Sequence, residues 1–364
     1  MVRFLHTADW QLGLKLRNLT EERAAQMRLK RFETVRKIGA LARQHKVDFV
    51  LVAGDVLDDN GLGKDTQQHT ADALATYDGI PTGLLPGNHD AATPDSILAR
   101  LHLPSSVQVL NKREPVQFGE ATIYPCPLMR RHEMDDPTAW LPQRQPGEGI
   151  RIAVAHGGVI DFAESSDSET PNLIDAARVL DRGFDYLALG DWHGLFRYGP
   201  RVWYPGAPEA TRLKERDPGH ILLVEIEAPG EIPQVTPIQV AETRWLRIDV
   251  EMTDDSQVEE LRAHLDGLPE RAMTLVELTV HGSISLSARD ALDALIGDYA
   301  ERLAYLRSNL YGLHSAPTDA DLTTMTGESF MSAALERLRT GGADDEGAIR
   351  LLYRLQREAA HASC

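Results

Sequence analysis

The chain of 364 residues is 42% hydrophobic and 26% charged, with a formal net charge of −17. This is an ordinary globular composition: no apolar stretch approaches the roughly 18 residues of a membrane span, and "MVRFLHTADW" breaks too early for a signal peptide, so a cytoplasmic location without membrane contact is expected. The two cysteines, Cys126 and Cys364, support neither a disulfide framework nor a cysteine zinc site. The acidic total argues against coating nucleic acid by bulk attraction. Charge is uneven, however: residues 1–46 hold eleven Lys or Arg against four Asp or Glu, leaving −24 on the remainder.

The first two thirds repeat one pattern, in which a β-branched or leucine-rich run is followed by a small residue and then a side chain able to bind metal. "VRFLHTADWQ" ends in Asp9 and Gln11, "VDFVLVAGD" in Asp55, "IPTGLLPGNHD" in Asn88 and His89, "IRIAVAHGG" in His156, and "FDYLALGDWH" in Asp191 and His193. Such runs suit strands buried on both faces. Between them, residues 20–45 predict a helix capped by Thr20, with Glu21 and Glu22 at its N-terminus and Ala24, Met27, Phe32, Val35 and Ile38 on one side. The basic charge of this N-terminal region reads as a solvated face, or as phosphate contact through Lys15, Arg17, Arg23 or Arg28. Further helices are expected at 65–77 and 171–181, which makes the core α/β, with ligands gathered at the carboxyl ends of neighbouring strands.

Residues 105–128 and 201–240 change to short strands and turns, a mixed or antiparallel flank to the core. A boundary falls near "VAETRWLRIDVEM". Beyond it a strand (245–252), a helix (255–266) and a strand (273–281) form a βαβ unit, and a long helix is expected over 288–309. The tail offers two amphipathic helices, "ESFMSAALERLRT" and "EGAIRLLYRLQREAA". The domains expected are therefore 1–240, 245–315 and 316–364.

The order Asp-X-Gln, Gly-Asp, "GNHD", lone His and Asp-X-His resembles the calcineurin-like metallophosphoesterase superfamily. Within it, "HTADWQLG", "AGDVLD", "PGNHD", "AHGGV" and "YPGAPE" resemble the SbcD-type nuclease subunits of bacterial DNA-repair complexes. The resemblance covers roughly residues 1–225. It implies a four-layer β-sandwich flanked by helices, with a small βαβ capping domain and C-terminal helices. It also implies a two-metal site: Asp55 bridging both ions, Asp9, Gln11 and His193 completing one shell, and Asn88, His156 and Asp191 the other. His89 would be the general acid or phosphate contact, with Asp90 orienting its ring.

Two positions depart from the family's letters: Gln11 stands where His is usual, and Asp191 where the first His of Gly-His-X-His is usual. Both keep a donor oxygen, so the expected shell is richer in oxygen and should prefer Mn2+, or Mg2+, over zinc. Asp58 reads as a supporting residue, His6 as a core histidine, Trp10 and Trp192 as packing that walls the site or, alternatively, as rings for base stacking, and Cys126 as a buried small residue. The tail spacing of Met331, Leu335 and Leu338 reads as packing on its own domain or, through the resemblance, as docking onto an SbcC-like coiled-coil ATPase. The resemblance further implies DNA as substrate and a homodimer. The function expected is a metal-dependent DNA phosphodiesterase; the alternatives are a phosphatase acting on a small molecule or protein, and a catalytically degenerate DNA-binding subunit.

Overall fold

Runs of three to seven residues, the central ones apolar, pair into two six-stranded sheets stacked face to face. The computed structural model describes residues 1–17, 19–160 and 171–315, together with Arg337 and Ala348. The chain divides into two compact units, Met1–Thr243 and Arg244–Cys364. In chain order the first unit contains β1 (Val2–Thr7), α1 (Glu21–Gln44), β2 (Phe49–Val52), α2 (Lys64–Ala75), β3 (Thr82–Leu84), β4 (Val107–Val109), β5 (Val116–Phe118), β6 (Ala121–Cys126) and β7 (Ile150–His156). It continues with β8 (Gly158–Val159), β9 (Leu173–Ile174), α3 (Ala176–Asp181), β10 (Tyr186–Gly190), β11 (Phe196–Gly199), β12 (Val202–Tyr204), β13 (His220–Ile226) and β14 (Gln234–Gln239).

One sheet runs β14-β13-β1-β2-β3-β4, with β1 to β4 parallel and β13 and β14 antiparallel. The other runs β11-β12-β10-β7-β6-β5, parallel from β6 through β12, with antiparallel strands at each edge. Strand alternation sends successive side chains to opposite faces. Thus Phe4, Phe49 and Leu51 meet Ile123, Ile152, Val154 and Tyr186 between the sheets, whereas Leu5, Val50 and Val52 meet Phe32, Val35 and Ile38 of α1 and Leu74 of α2. A third core of Tyr124, Ala153, Leu187, Val179 and Phe184 closes the outer face of the second sheet against α3. The result is the four-layer α/β sandwich, each buried Leu, Val or Phe contributing about 1.5–3 kcal/mol.

The local signals for α1 hold: Thr20 caps it by accepting from the Arg23 N–H, and Glu21 and Glu22 occupy its first turn. Cys126 is fully buried. His6, on the inter-sheet face of β1, is a satisfied core histidine, its Nε2 3.1 Å from the Leu189 carbonyl and its Nδ1 3.0 Å from the Tyr186 hydroxyl. Burial pushes its pKa down to about 3, against the Leu189 carbonyl, so it stays neutral. It bolts β1 to β10 just below the ends of both strands.

The second unit holds β15 (Arg244–Met252), α4 (Gln257–Asp266), β16 (Thr274–Ile284), α5 (Leu286–Arg302), β17 (Tyr305–Asn309) and β18 (Leu313–Ser315), with β15, β17 and β18 all parallel to β16. The helix expected over 288–309 ends at Arg302, and its last residues are a strand paired with β16. No Gly or Pro marks the change; Leu303 simply turns extended, and backbone pairing from Leu275↔Tyr305 to Thr279↔Asn309 decides the outcome. The tail spacing of Met331, Leu335 and Leu338 lies outside the described residues.

Backbone from the two sheets packs tightly where β2 and β10 end. A Cβ on Gly190 would lie 2.0 Å from the Ala53 carbonyl oxygen, and one on Gly54, whose φ is +96°, would lie 2.1 Å from His156 Nδ1. Gly190→Ala should therefore destabilise the first unit by about 2–3 kcal/mol through overpacking, read as a lowered denaturant midpoint at unchanged m-value; wild-type stability would contradict this packing.

Candidate metal centre

Because β1, β2 and β3 are adjacent and parallel, as are β7 and β10, their carboxyl ends emerge at one edge of the sandwich. The loops there interlock through Asp9 N–H to the Gly54 carbonyl (3.0 Å), Gln11 N–H to the Asp55 carbonyl (2.9 Å) and Gly157 N–H to the Gly190 carbonyl (3.1 Å). Four of the site side chains sit on left-handed backbone: Asp9 at φ 54°, Gln11 at 43°, Asp55 at 52° and Asp191 at 97°. Such conformations in non-glycine residues cost about 1–3 kcal/mol each and persist where surrounding structure imposes them.

Asp9, Asp55 and His156 are buried, each with one ligand atom such that all three lie within 4.8 Å of one another. The His156 Nδ1–H donates to the Ala53 carbonyl at 2.8 Å, which leaves Nε2 as an acceptor 3.4 Å from Asp55 Oδ1 and 3.7 Å from Asp191 Oδ1. Asn88 faces the same point. With its nitrogen inward the amide donates to His156 Nε2 at 2.9 Å and to both Asp55 oxygens at 3.2 Å; with its oxygen inward it accepts from a protonated His156 Nε2 or faces a cation. The donor set of carboxylates, imidazole and amide oxygen fits a hard divalent metal.

The other half of the site lies across Asp9. His193 Nε2 is 3.9 Å from Asp9 Oδ1 and 3.2 Å from the Gln11 amide nitrogen, while its Nδ1 is 2.6 Å from Glu215 Oε1 and 2.9 Å from Thr211 Oγ1. The Asp191 N–H is 3.2 Å from both Asp9 oxygens, and its carboxylate is 40% exposed, at the mouth. All seven residues expected as ligands thus border one cleft. Gln11 and Asp191 both turn inward toward it.

The electrostatics follow from the crowding. Burial, with Asp55 and Asp191 nearby, pushes Asp9 up to about 6 against the pull of His156 and His193. Burial opposes protonation of His156, yet Asp55, Asp9 and Asp191 together with the Ala53 carbonyl raise it to about 9. His193 is likewise raised, burial being outweighed by Glu215 and Asp9. Without a metal the site retains protons as its positive charge.

His89 stands beside the ligands. Its N–H donates to Asp55 Oδ1 at 2.9 Å, and its Nδ1–H donates to the Asp58 carbonyl at 2.7 Å, leaving Nε2 3.9 Å from Asp55 Oδ2. The expectation that Asp90 orients this ring is corrected: the buried Asp90 carboxylate accepts from the Gly87 and Leu57 N–H groups at 2.7 and 3.0 Å, because the turn folds it inward to tie the "GNHD" and "AGDVLD" loops. Burial and the Asp55 charge push Asp90 up to about 7. The positioning role falls to Asp58, whose carboxylate also lies 3.7 Å from His89 Nδ1. Lys15 pairs with Asp59 at 3.0 Å, and Arg17 is exposed.

Trp10 packs as expected, buried on Tyr77 with its indole N–H on Thr7 Oγ1 at 3.0 Å. Trp192 does not: it is 51% exposed. Two supporting groups carried no signal in the sequence. Glu215 lies 22 positions beyond His193, and only the fold brings its carboxylate to the imidazole. Arg31, on the basic side of α1 expected to be solvated, is buried and donates to the Trp10 carbonyl at 3.1 Å and the Ala210 carbonyl at 2.9 Å, clasping the Asp9–Gln11 loop to the loop that orients His193.

Two outcomes follow. Divalent ions take the deprotonated ligands, so affinity should rise about tenfold per pH unit as His156 loses its proton toward pH 9, more steeply below about 6 where Asp9 is also protonated. Calorimetric Mn2+ titrations across that range check this, and a flat profile would contradict it. Glu215→Gln should weaken binding of an ion held through His193 by about 10–100-fold, read in the same titrations, while a site held by Asp55 and His156 alone should be spared.

Comparison with known proteins agrees with this geometry. The chain is 29% identical over 237 residues to the uncharacterized metallophosphoesterase YhaO of Bacillus subtilis, covering 60% of this chain and 56% of that protein. It is 24% identical to the double-strand break repair protein MRE11 of Oryza sativa subsp. indica (73% of this chain, 47% of that one). It is 26% identical to the SbcD component of the nuclease SbcCD of Rhodobacter capsulatus (92% and 94%). It therefore spans about half the length of YhaO and MRE11. The profile of the calcineurin-like phosphoesterase family matches residues 2–224, the stretch that supplies every residue of the metal cleft, and the chain belongs to that family.

Proposed function

We propose that the protein is a two-metal phosphodiesterase that cleaves DNA, an SbcD-type nuclease working with an SbcC-like coiled-coil ATPase. The observation that carries the reading is the convergence on one cleft of Asp9, Gln11, Asp55, Asn88, His156, Asp191 and His193, a set rich in the oxygen and imidazole donors that divalent ions take. Asp55, between the two halves, would bridge; Asp9, Gln11 and His193 would hold one ion, and Asn88, His156 and Asp191 the other. Two divalent ions there would supply Lewis acidity, activating water and neutralising charge on the phosphodiester.

The protein's own groups set the rest. The Ala53 carbonyl and Glu215 fix the tautomers of His156 and His193, so that each offers Nε2 to the cleft. His89, fixed by the Asp58 carbonyl, presents Nε2 on the cleft side, where it can contact a phosphate oxygen or, when protonated, pass a proton to the leaving group. Three carboxylates and two amides among seven ligands favour Mn2+, or Mg2+, over zinc. A DNA substrate and an ATPase partner rest on the likeness to MRE11 and to the SbcD component of the nuclease SbcCD. The unit Arg244–Cys364 would act as a cap, its tail as a docking segment.

With Mn2+ the protein should hydrolyse bis(p-nitrophenyl) phosphate and labelled DNA. Asp55→Ala and Asn88→Ala should lower the rate at least about 100-fold, and His89→Gln should lower kcat while leaving metal affinity close to wild type. A preference for phosphomonoesters would assign a phosphatase instead, absence of hydrolysis with every metal would assign a catalytically degenerate protein, and activity with zinc alone would overturn the metal preference.

A further inference from the structure

Beside the metal cleft lies a cavity of about 340 Å3 whose walls include Asp191, Trp192, Leu195, Phe196, Tyr204 and Arg216. Its size falls in the range of small-molecule sites, roughly 300–1,000 Å3. Three aromatic rings line it in series, with centroids 6.2 Å apart from Trp192 to Phe196 and 6.3 Å from Phe196 to Tyr204. The walls are tied by backbone: Leu195 N–H donates to the Asp217 carbonyl at 3.0 Å, and Ala207 N–H to the His193 carbonyl at 2.9 Å. The Tyr204 hydroxyl is already committed to the Gly157 carbonyl at 2.8 Å, so that residue offers the cavity its ring.

We infer that this cavity is a nucleobase subsite, in which a base next to the scissile phosphate stacks against Trp192 and Phe196; the inference rests on the phosphodiesterase reading. Asp191 belongs to both sites, its carboxylate 3.7 Å from His156 Nε2 and also part of the cavity wall, so a nucleotide whose phosphate sits in the cleft reaches the aromatic wall within its own length. A half-exposed Trp beside a buried charge cluster is poorly explained by packing. A base explains it, because any base has a π-face to stack whatever its sequence identity. Exposed Arg216 at the rim adds a cation for the neighbouring backbone phosphate, and the carboxylates of Asp191 and Asp217 can accept from exocyclic amino groups. The selectivity predicted is for nucleotides over equally charged sugar phosphates.

Calorimetry on Mn2+-loaded protein compares deoxyadenosine 5′-monophosphate with deoxyribose 5-phosphate, and saturation-transfer NMR on metal-free protein detects uncharged deoxyadenosine. Wild type should bind the nucleotide about tenfold tighter than the sugar phosphate. Trp192→Ala and, independently, Phe196→Ala should erase most of that ratio and the deoxyadenosine signal, while Trp192→Phe retains them. Equal binding of the two phosphates by wild type, or a ratio unchanged in both alanine variants, overturns the subsite. Base preference present with no Mn2+-dependent phosphodiester hydrolysis would uphold the subsite and sink the nuclease reading, so the two can fail separately.

Discussion

The structure is governed by the confinement of carboxylates, imidazoles and amides at one edge of a stiff double sheet, with acceptors facing acceptors. Taken from water, such groups repel one another and lose hydration, and they are tolerable only with protons or cations among them. The raised pKa values of Asp9 and His156 express this confinement. The hydrophobic layers supply what holds the groups in place. Phe4 stacks on Phe49 at 4.9 Å and meets Tyr186 edge-on at 5.6 Å across the sheet interface, and His6 pins β1 to β10 directly beneath the loops.

Around that edge the supports form a second tier. Ala53 holds His156, Glu215 and Thr211 hold His193, Asp58 holds His89, and Asp90 holds the turn itself. Each fixes an orientation that the ligand's own loop leaves open. Arg31 has a wider reach, since it joins two loops that carry different ligands and sets a buried positive charge near Asp9, Asp58 and Glu215. The left-handed backbone at Asp9, Gln11, Asp55 and Asp191 is the strain that these supports and the interlocked loops sustain.

The replacements at positions 11 and 191 alter the site in related ways. Gln11 exchanges a ring nitrogen for an amide and contacts His193 directly; Asp191 exchanges another for a charge and stands at the mouth, where the aromatic cavity begins. The cleft thereby gains negative charge at the side where it opens.

The sequence by itself determined the parts that depend on local periodicity and local chemistry: five buried runs ending in polar residues, the α1 cap at Thr20, glycines where backbones must approach, and the donor atoms that Asp9, Asp55, Asn88 and His156 bring to one edge. These are legible because a strand's burial and a loop's donor atoms are written in adjacent residues. Tertiary structure alone decided the rest. Tyr305–Asn309 became a strand because β16 offered an unpaired edge, against a helical pattern with no breaker. Asp90 turned inward although its neighbour His89 suggested a partner, and Glu215, Arg31 and the Trp192 cavity acquired meaning only through contacts between residues far apart in the chain. Orientation and long-range proximity are set by how layers pack, and packing leaves no mark at a fixed spacing in the chain.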